Sequence, residues 1–313
     1  MTAPSDTVVR ATILRLVNLD RHGIISQTLV RTGSFDALAR LLTADDPSTV
    51  LAHPSDPEGR QAVEKLRRTF VSTGRWGAGA ADLATMTRHD ARLIASDSPE
   101  YPARLKDLGA DAPIALWMTG PGHLAEAVEK SVTVTGARAS TEYGDHVAEE
   151  LTHGLVRSDT AVISSTSFGI DAAAMRGALM ATDSGGELPR ALAVLPQGLD
   201  TIYPQGNASL HHQISRRGML VTEAAPGTRP TRTMFLRRAG VLAALSEASV
   251  IVEAGRCSDA LNVAARAHAL GRVVSAVPGP TTSVASAGTH RLIKQRTAML
   301  VTDADDVLAA IDR

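Results

Sequence analysis

The pattern that decides the fold is clearest in residues 131–182, which read SVTVTGARASTEYGDHVAEELTHGLVRSDTAVISSTSFGIDAAAMRGALMAT. A β-branched run, Ser131–Thr135, is followed by a turn at Gly136 and then by a stretch with helical spacing. A second run, Ala161–Ser164, begins the same succession again. Alternation of this kind predicts βαβ units with parallel strands. Because such crossovers are right-handed, helices are expected on both faces of the sheet.

The alternation continues to the end of the chain. Further strands are predicted at Ala191–Leu195, Met219–Thr222, Ser249–Val252 and Arg272–Val277, with a weaker one at Ala298–Val301. Helices are predicted near residues 141–157, 171–182, 206–217, 233–246, 258–270 and 287–296. The segment Asp183–Leu188 is predicted to be a surface loop. The expected fold class is therefore an extended Rossmann-like parallel α/β sheet.

The first part of the chain has a different pattern. Residues up to about 95 lack strand-like apolar runs and show helical stripes at Val8, Ile13, Leu14 and Leu16 and at Phe35, Leu38, Leu41 and Leu42. The sequence thus predicts a helical N-terminal module over residues 1–95 and a Rossmann-like domain over residues 96–313.

Composition excludes several classes of protein. The 313 residues carry a formal net charge of −1 and one cysteine, which excludes an intrachain disulfide and a multi-cysteine metal site. No apolar run reaches the length of a membrane span, and the N-terminus lacks the pattern of a signal peptide. We therefore expect a cytoplasmic protein without a membrane segment.

Ligands of open parallel sheets bind beyond the carboxyl ends of the strands, where free helix N-termini favour anions. After the strand Ser131–Thr135, Gly136 permits a tight turn, Arg138 projects a guanidinium group, and Ser140 can cap the next helix. The alternative is a plain turn with a solvated arginine. After Ala161–Ser164 come further hydroxyl groups and then Phe168, Gly169 and Asp171. Phe168 either stacks on a base or packs, and Asp171 is either a ligand contact or a helix cap.

Two later connections add candidates. Gln197, Gly198 and Tyr203 follow the strand Ala191–Leu195, where an amide can read base edges and a ring can stack. The next connection is basic, with Glu223 as its acid and six arginines: Arg216, Arg217, Arg229, Arg232, Arg237 and Arg238. Six positive groups against one negative group favour phosphate binding, although a solvated cationic loop would have the same composition. Asn262 lies in the residues that open the following helix.

No catalytic constellation is apparent. The sequence lacks a GxxxxGK[ST] phosphate loop, a Gly-x-Ser-x-Gly elbow and metal-ligand pairing of its histidines. Glu253, at a strand end, is open to interpretation as a base, a hydroxyl acceptor or an arginine partner, and as an isolated acid it is more typical of a structural role. No catalytic residue, cofactor or metal site is therefore predicted.

Taken in order, these segments resemble the DNA-processing protein A (DprA/Smf) family. The similarity covers about residues 96–305 and lies in VTVTGARASTEYG (132–144), FGIDAAA (168–174), LAVLPQGLDTIYPQGN (192–207), VIVEAG (250–255), AVPGP (276–280) and AGTHRLIKQRTA (287–298). The resemblance implies a homodimer that binds single-stranded DNA, helps to load a RecA-type recombinase and lacks catalytic activity. It also implies that Arg138 is a principal DNA contact.

The chain departs from the family pattern at several of these segments. The family's Ser-Gly-x-Ala-x-Gly-Ile-Asp is Ser-Ser-Thr-Ser-Phe-Gly-Ile-Asp here, and its Ser-Gly-[ST]-Leu is Ser258-Asp259-Ala260-Leu261. The alternative function is a nucleotide sensor or a nucleotide hydrolase like the related lysine-decarboxylase-like (LOG) phosphoribohydrolases. A third possibility is a protein-interaction scaffold without DNA binding.

Overall fold

The structure is a computed structural model, which describes residues 4–17, 25, 28, 34–50, 54–182 and 190–312. The surface loop expected at Asp183–Leu188 lies outside the described residues. None of the helices among the described residues combines the length and the apolar character that a bilayer crossing requires.

Helices dominate the N-terminal part, as predicted. They are α1 (Asp6–Val17), α2 (Phe35–Thr43), α3 (Pro57–Ser72) and α4 (Trp76–Arg88). The hydroxyl of Ser34 accepts a hydrogen bond from the amide of Ala37 and so begins α2, while Asp56 caps α3 in the same way. The apolar stripe of α2 is buried, which confirms the helical interpretation of that segment. An ion pair at 2.6 Å joins Arg10 of α1 to Asp97.

The sheet contains nine strands among the described residues. They are β1 (Arg92–Ala95), β2 (Ala115–Thr119), β3 (Ser131–Thr135), β4 (Ala161–Ser164), β5 (Ala191–Val194), β6 (Met219–Thr222), β7 (Ala248–Ile251), β8 (Val273–Ala276) and β9 (Met299–Leu300). Their spatial order is β1-β2-β6-β5-β4-β3-β7-β8-β9. All pairs from β6 to β9 are parallel, which confirms the predicted fold class.

One edge of the sheet differs from the prediction. β1 pairs antiparallel with β2, and β2 pairs antiparallel with β6. The expectation that residues up to 95 contain no strand is therefore wrong at Arg92–Ala95. That strand is four residues long and starts with arginine, so its pattern is too short to stand out from the flanking helix.

Helices cover both faces of the sheet. They are α5 (Leu124–Ala127), α6 (Glu142–Arg157), α7 (Ile170–Thr182), α8 (Ala208–Arg217), α9 (Arg232–Leu245), α10 (Ala260–Ala269), α11 (Ala287–Lys294) and α12 (Ala304–Ile311). Helices α6, α7, α8 and α12 share one apolar cluster with the N-terminal helices, and α9, α10 and α11 share the other. From Arg238 to Leu245, every residue of α9 is buried.

Candidate nucleic-acid interface

The sheet has a topological switch point between β3 and β7. From β3 the chain proceeds outward through β4 and β5 to β6, then returns across the sheet through α9 to β7 on the other side. Crevices at such points are the usual ligand sites of open α/β sheets. An open cleft of about 1150 Å³ lies here, and its lining includes Gly136, Arg138, Ser167, Asp171, Arg232, Phe235, Arg238, Asp259 and Asn262.

The loops after β3, β4 and β7 are packed backbone against backbone. The amide of Ala137 donates to the carbonyl of Glu253 at 2.7 Å, and the amide of Ile170 donates to the carbonyl of Ala137 at 3.1 Å. A Cβ on Gly136 would come within 2.7 Å of the Glu253 carbonyl oxygen. Gly169 has a φ of +73°, and a Cβ there would lie 2.3 Å from the Ala137 carbonyl oxygen. This packing fixes the position of Arg138.

The side chain of Glu253 is hydrogen-bonded to the loop that follows β3. Its buried carboxylate accepts hydrogen bonds from the amide and the hydroxyl of Thr141, at 2.9 and 2.7 Å. Thr141 in turn caps α6. Among the alternatives for Glu253, the structure supports the hydroxyl acceptor, and the carboxylate does not belong to the lining of the cleft.

Arg238 is a buried positive charge at the floor of the cleft. Its Nη1 donates to the hydroxyls of Ser165 and Ser167, at 3.2 and 3.1 Å, while its Nε is buried without a partner among the described residues. Burial lowers the pKa of Arg238, the charge of Asp171 opposes that shift, and the charge of Arg138 adds to it. Because a guanidinium group stays protonated in proteins, the site holds a cation that is incompletely neutralised.

Phe235 brings the two arginines together. The guanidinium carbon of Arg138 lies 4.8 Å from the centroid of this ring, and that of Arg238 lies 5.0 Å from it. Both separations are within the range of cation–π attraction, which offsets part of the repulsion between the two cations. Tyr203 meets the ring edge-on at a centroid distance of 6.2 Å. Phe235 is therefore occupied by arginines and is not an open surface for a base.

Asp259 pairs with Arg138. A carboxylate oxygen lies 2.8 Å from Nη2 of the arginine, and both side chains are about half exposed or more, at 49% for Arg138 and 68% for Asp259. Asp259 is not among the site residues predicted from the sequence. The departure from the family's Ser-Gly-[ST]-Leu pattern, on a loop that follows a central strand, was the signal that could have identified it.

Only some of the predicted site residues lie in the cleft. Those that line the cleft are Gly136, Arg138, Asp171, Arg232, Arg238 and Asn262. Phe168 and Tyr203 are exposed, and the ring of Phe168 lies over Gly206. Ser140 donates to the carboxylate of Asp145 and does not cap α6. Asp171 is likewise not a cap, because its carboxylate accepts hydrogen bonds from the hydroxyls of Thr135 and Ser165 inside the core.

Two groups expected at the surface are buried. Gln197 is fully buried beneath its own loop, with its amide nitrogen 3.4 Å from the carbonyl oxygens of Thr201 and Tyr203. Gly198 is buried as well, and a Cβ there would meet the side chain of Asp200. The expectation that Gln197 reads a base edge is not met by this placement. The hydroxyl groups from Ser164 to Ser167 are buried too.

The run of arginines does not form one surface. Arg237 makes a two-pronged ion pair with Glu223, at 2.6 and 2.7 Å, and does not line the cleft. Although burial opposes it, hydrogen bonding to Glu223 raises the pKa of Arg237. Arg216 and Arg217 end α8, ahead of β6, and so lie at the amino edge of the sheet. The prediction that Arg216, Arg217 and Arg237 share one basic surface at the ligand-binding edge is wrong. They lie in one stretch of sequence, but the fold places them away from the lining of the cleft.

The fold and the cleft define a class: a Rossmann-like α/β protein with an arginine-lined crevice at the carboxyl edge of its sheet. Sequence comparison identifies the family within this class. The chain belongs to the DNA recombination-mediator protein A family, whose model matches residues 92–312.

Named relatives agree with this assignment. The chain is 47% identical over 239 residues to a DNA processing protein DprA of Mycobacterium tuberculosis, a match that covers 73% of this chain and 60% of that protein. It is 34% identical over 212 residues to DprA of Streptococcus pneumoniae, covering 68% of this chain and 71% of the relative. The match thus spans about 60% of the length of the mycobacterial relative.

Solved structures show the same fold. The crystal structure of DprA from Streptococcus pneumoniae superposes with a TM-score of 0.69 at 26% identity, over 96% of this chain and 92% of that one. A DNA processing protein A from Helicobacter pylori, described for its single-stranded-DNA binding mode, has a TM-score of 0.61 at 22% identity over 71% of this chain and 95% of that one. The likeness to the second protein concerns the fold alone.

Proposed function

We propose that this chain binds single-stranded DNA along the cleft between the ends of β3 and β7, as a non-catalytic DNA-processing protein. The observation that carries the proposal is the pair of guanidinium groups, Arg138 and Arg238, held on one ring in an open crevice. Two fixed cations at this spacing suit a phosphodiester backbone, which presents negative charge at regular intervals. The single-strand binding described for the Helicobacter pylori relative is consistent with it.

Phosphate contacts supply most of the affinity in this proposal. Arg232 adds a third cation to the lining, and Asn262 offers an amide from the first turn of α10. Phe168 and Tyr203 are exposed rings, and both can stack on an unpaired base. With three cations and two rings, binding is expected to depend strongly on salt and weakly on base sequence.

The cellular role follows the family. The chain would protect single strands and help to load a RecA-type recombinase, as a homodimer in the cytoplasm. The division of the chain into a helical N-terminal module and a binding domain is also part of the proposal, with the boundary moved from residue 95 to just before β1, because that strand joins the sheet. The nucleotide-hydrolase alternative gains no support from Glu253, because that carboxylate is already bound to Thr141 outside the cleft. Incubation with nucleoside monophosphates should release no free base.

The proposal is tested by replacing Arg138 with alanine. Fluorescence anisotropy with a labelled single-stranded oligonucleotide should show about a tenfold loss of affinity. The slope of log K against log salt should become shallower by about 0.7 for each phosphate that the variant no longer neutralises. Duplex DNA of the same length should bind more weakly than the single strand.

Arg266→Ala is the matched control. Arg266 is 51% exposed and pairs with an exposed aspartate, Asp111, at 3.4 Å, but it does not line the cleft. Its loss should leave the affinity within about twofold, because remote surface charges are screened. Equal losses in the two variants, or binding that ignores both salt and Arg138, would remove the proposed function.

A further inference from the structure

Asp259 places an exposed carboxylate in a cleft lined by three arginines; the other carboxylate of the lining, Asp171, is buried and bound by hydroxyl groups. Its carboxylate lies 2.8 Å from Arg138, the exposed member of the arginine pair. The remaining member, Arg238, donates to hydroxyls and keeps its buried Nε without a partner among the described residues. The exposed cation is thus internally paired, whereas the buried cation is not.

The carboxylate also sits at an anion-favouring point of the fold. Asp259 directly precedes α10, a helix of ten residues whose first turn lines the cleft with Ala260 and Asn262. Free amides at a helix N-terminus attract anions. The Asp259 side chain makes no capping hydrogen bond to those amides. Its carboxylate instead accepts a hydrogen bond from Arg138.

We propose that Asp259 is an internal anion that competes with the DNA phosphate for Arg138 and thereby limits the affinity of the cleft. This inference deepens the proposed function and rests on it. A phosphate that approaches Arg138 must displace the carboxylate or share the guanidinium group with it. In either case, the two negative groups repel each other next to the start of α10.

The size of the expected gain in affinity depends on the free energy needed to move Asp259 away from Arg138. An exposed ion pair contributes little to stability, so Asp259 can swing away from Arg138 when a stronger anion arrives. Removing the carboxylate charge therefore eliminates a modest competition and the like-charge repulsion, and we expect a gain in affinity of about three- to tenfold at low salt. Asp259 acts in this view as a residue that tunes affinity and not as one that holds Arg138 in place.

The test is Asp259→Asn, which keeps the size of the side chain and removes its charge. Anisotropy at low salt with a single-stranded oligonucleotide should show the three- to tenfold gain. The same substitution in an Arg138→Ala background should give no gain, because the arginine for which Asp259 competes is absent. Asp111→Asn is the matched control, since Asp111 is 66% exposed and pairs with an exposed arginine outside the cleft.

Three outcomes would overturn the inference. These are unchanged or weaker binding by Asp259→Asn, an equal gain in Asp111→Asn, and a gain that persists without Arg138. Inorganic pyrophosphate, titrated by calorimetry against the same variants, is the second probe. If neither the parent nor any variant binds single strands, the proposed function fails. The competition between Asp259 and an anion is still supported in that case if Asp259→Asn binds pyrophosphate more tightly than the parent and the gain disappears without Arg138. If Asp259→Asn gains affinity for neither the oligonucleotide nor pyrophosphate, the inference about Asp259 is overturned.

Discussion

At the scale of single residues, the site depends on how two like charges are kept together. Arg138 and Arg238 both lie within about 5 Å of the Phe235 ring centre, close enough that the charge of Arg138 helps to lower the pKa of Arg238. The ring faces offer negative electrostatic potential to both cations without supplying a formal charge. Phe235 therefore positions the arginines without itself neutralising the charge of either one.

This role predicts the behaviour of Phe235→Leu. The variant keeps every formal charge, so the slope of log K against log salt should stay unchanged. The affinity for single-stranded DNA should fall about three- to tenfold, because the guanidinium groups lose the attraction that holds them in place. Anisotropy over a series of salt concentrations measures both quantities. Phe235→Tyr, which keeps the ring, should bind like the parent; a loss in this variant as large as that in Phe235→Leu would contradict the role.

Single residues were also where sequence reasoning was least complete. Arg138 lies at the carboxyl edge as expected, because its place after a strand determines its place in the sheet. Gln197 follows a strand in the same way, yet its loop folds over it. Whether a side chain in a loop faces solvent depends on neighbouring loops that are distant in sequence. For the same reason, Asp259 could not be linked to Arg138 before their strands were known to be adjacent.

At the scale of elements, three loops form one structural unit. The loops after β3, β4 and β7 contact each other through backbone atoms, with glycines where a side chain would intervene. A side chain at either glycine would overlap a carbonyl oxygen of a neighbouring loop. This steric requirement explains why Gly136 and Gly169 match the family pattern although neighbouring residues differ from it.

Gly169→Ala tests this packing. The backbone at Gly169 has a φ of +73°, and the added Cβ would lie 2.3 Å from the Ala137 carbonyl oxygen and 2.5 Å from that of Arg138. Strain and overlap together should lower the free energy of unfolding by about 2–4 kcal/mol. They should also weaken DNA binding by moving Arg138. Urea denaturation measures the first effect and anisotropy the second.

Gly227→Ala is the control for the backbone strain alone. Gly227 has a φ of +75°, but nothing lies within 4 Å of a Cβ placed there. Its replacement should cost only about 1 kcal/mol. If the two variants lost equal stability, the close packing of the loops would not be what requires Gly169.

Strands with a clear pattern in the sequence were predicted, and strands without one were missed. The seven strands from β3 to β9 were predicted within a residue or two, because each is a β-branched or apolar run between a turn and a helix. β1 and β2 were missed. Neither begins a βαβ unit, and an antiparallel strand of four or five residues leaves no alternation for a reader of the sequence to follow.

At the scale of the whole molecule, the charge is near neutrality and the cationic cleft is a local feature. A net charge of −1 offers no general attraction for a polyanion. Attraction must therefore come from local groups of positive charge such as the crevice, and it should fade within a Debye length, about 8 Å at physiological salt. Discrimination against polyanions that cannot enter the crevice is the expected result.

Global stability should depend on pH through His211. Burial, with a smaller effect of His212, lowers the pKa of His211 to about 4, and neither ring nitrogen has a partner among the described residues. The unfolded chain binds this proton with a pKa of about 6.5. Between those values the unfolded state holds more protons, so stability falls as the pH is lowered from 6.5 to 4, by about 2.5 kcal/mol.

Urea denaturation at pH 7.5 and 4.5 measures the effect. His211→Leu has no group to protonate at this position, so it should lose about 2.5 kcal/mol less than the parent protein between pH 7.5 and 4.5. Identical pH profiles for parent and variant would show that His211 is not the group responsible.

Helix α9 carries both the arginine-holding ring and the centre of one apolar face. Because every residue from Arg238 to Leu245 is buried, a change there alters the folding of the domain together with its surface. The loop at 255–259 packs less tightly and is mostly exposed. Substitutions in that loop, Asp259 among them, should therefore change the charge of the crevice at little cost to folding, whereas substitutions in the buried half of α9 change both.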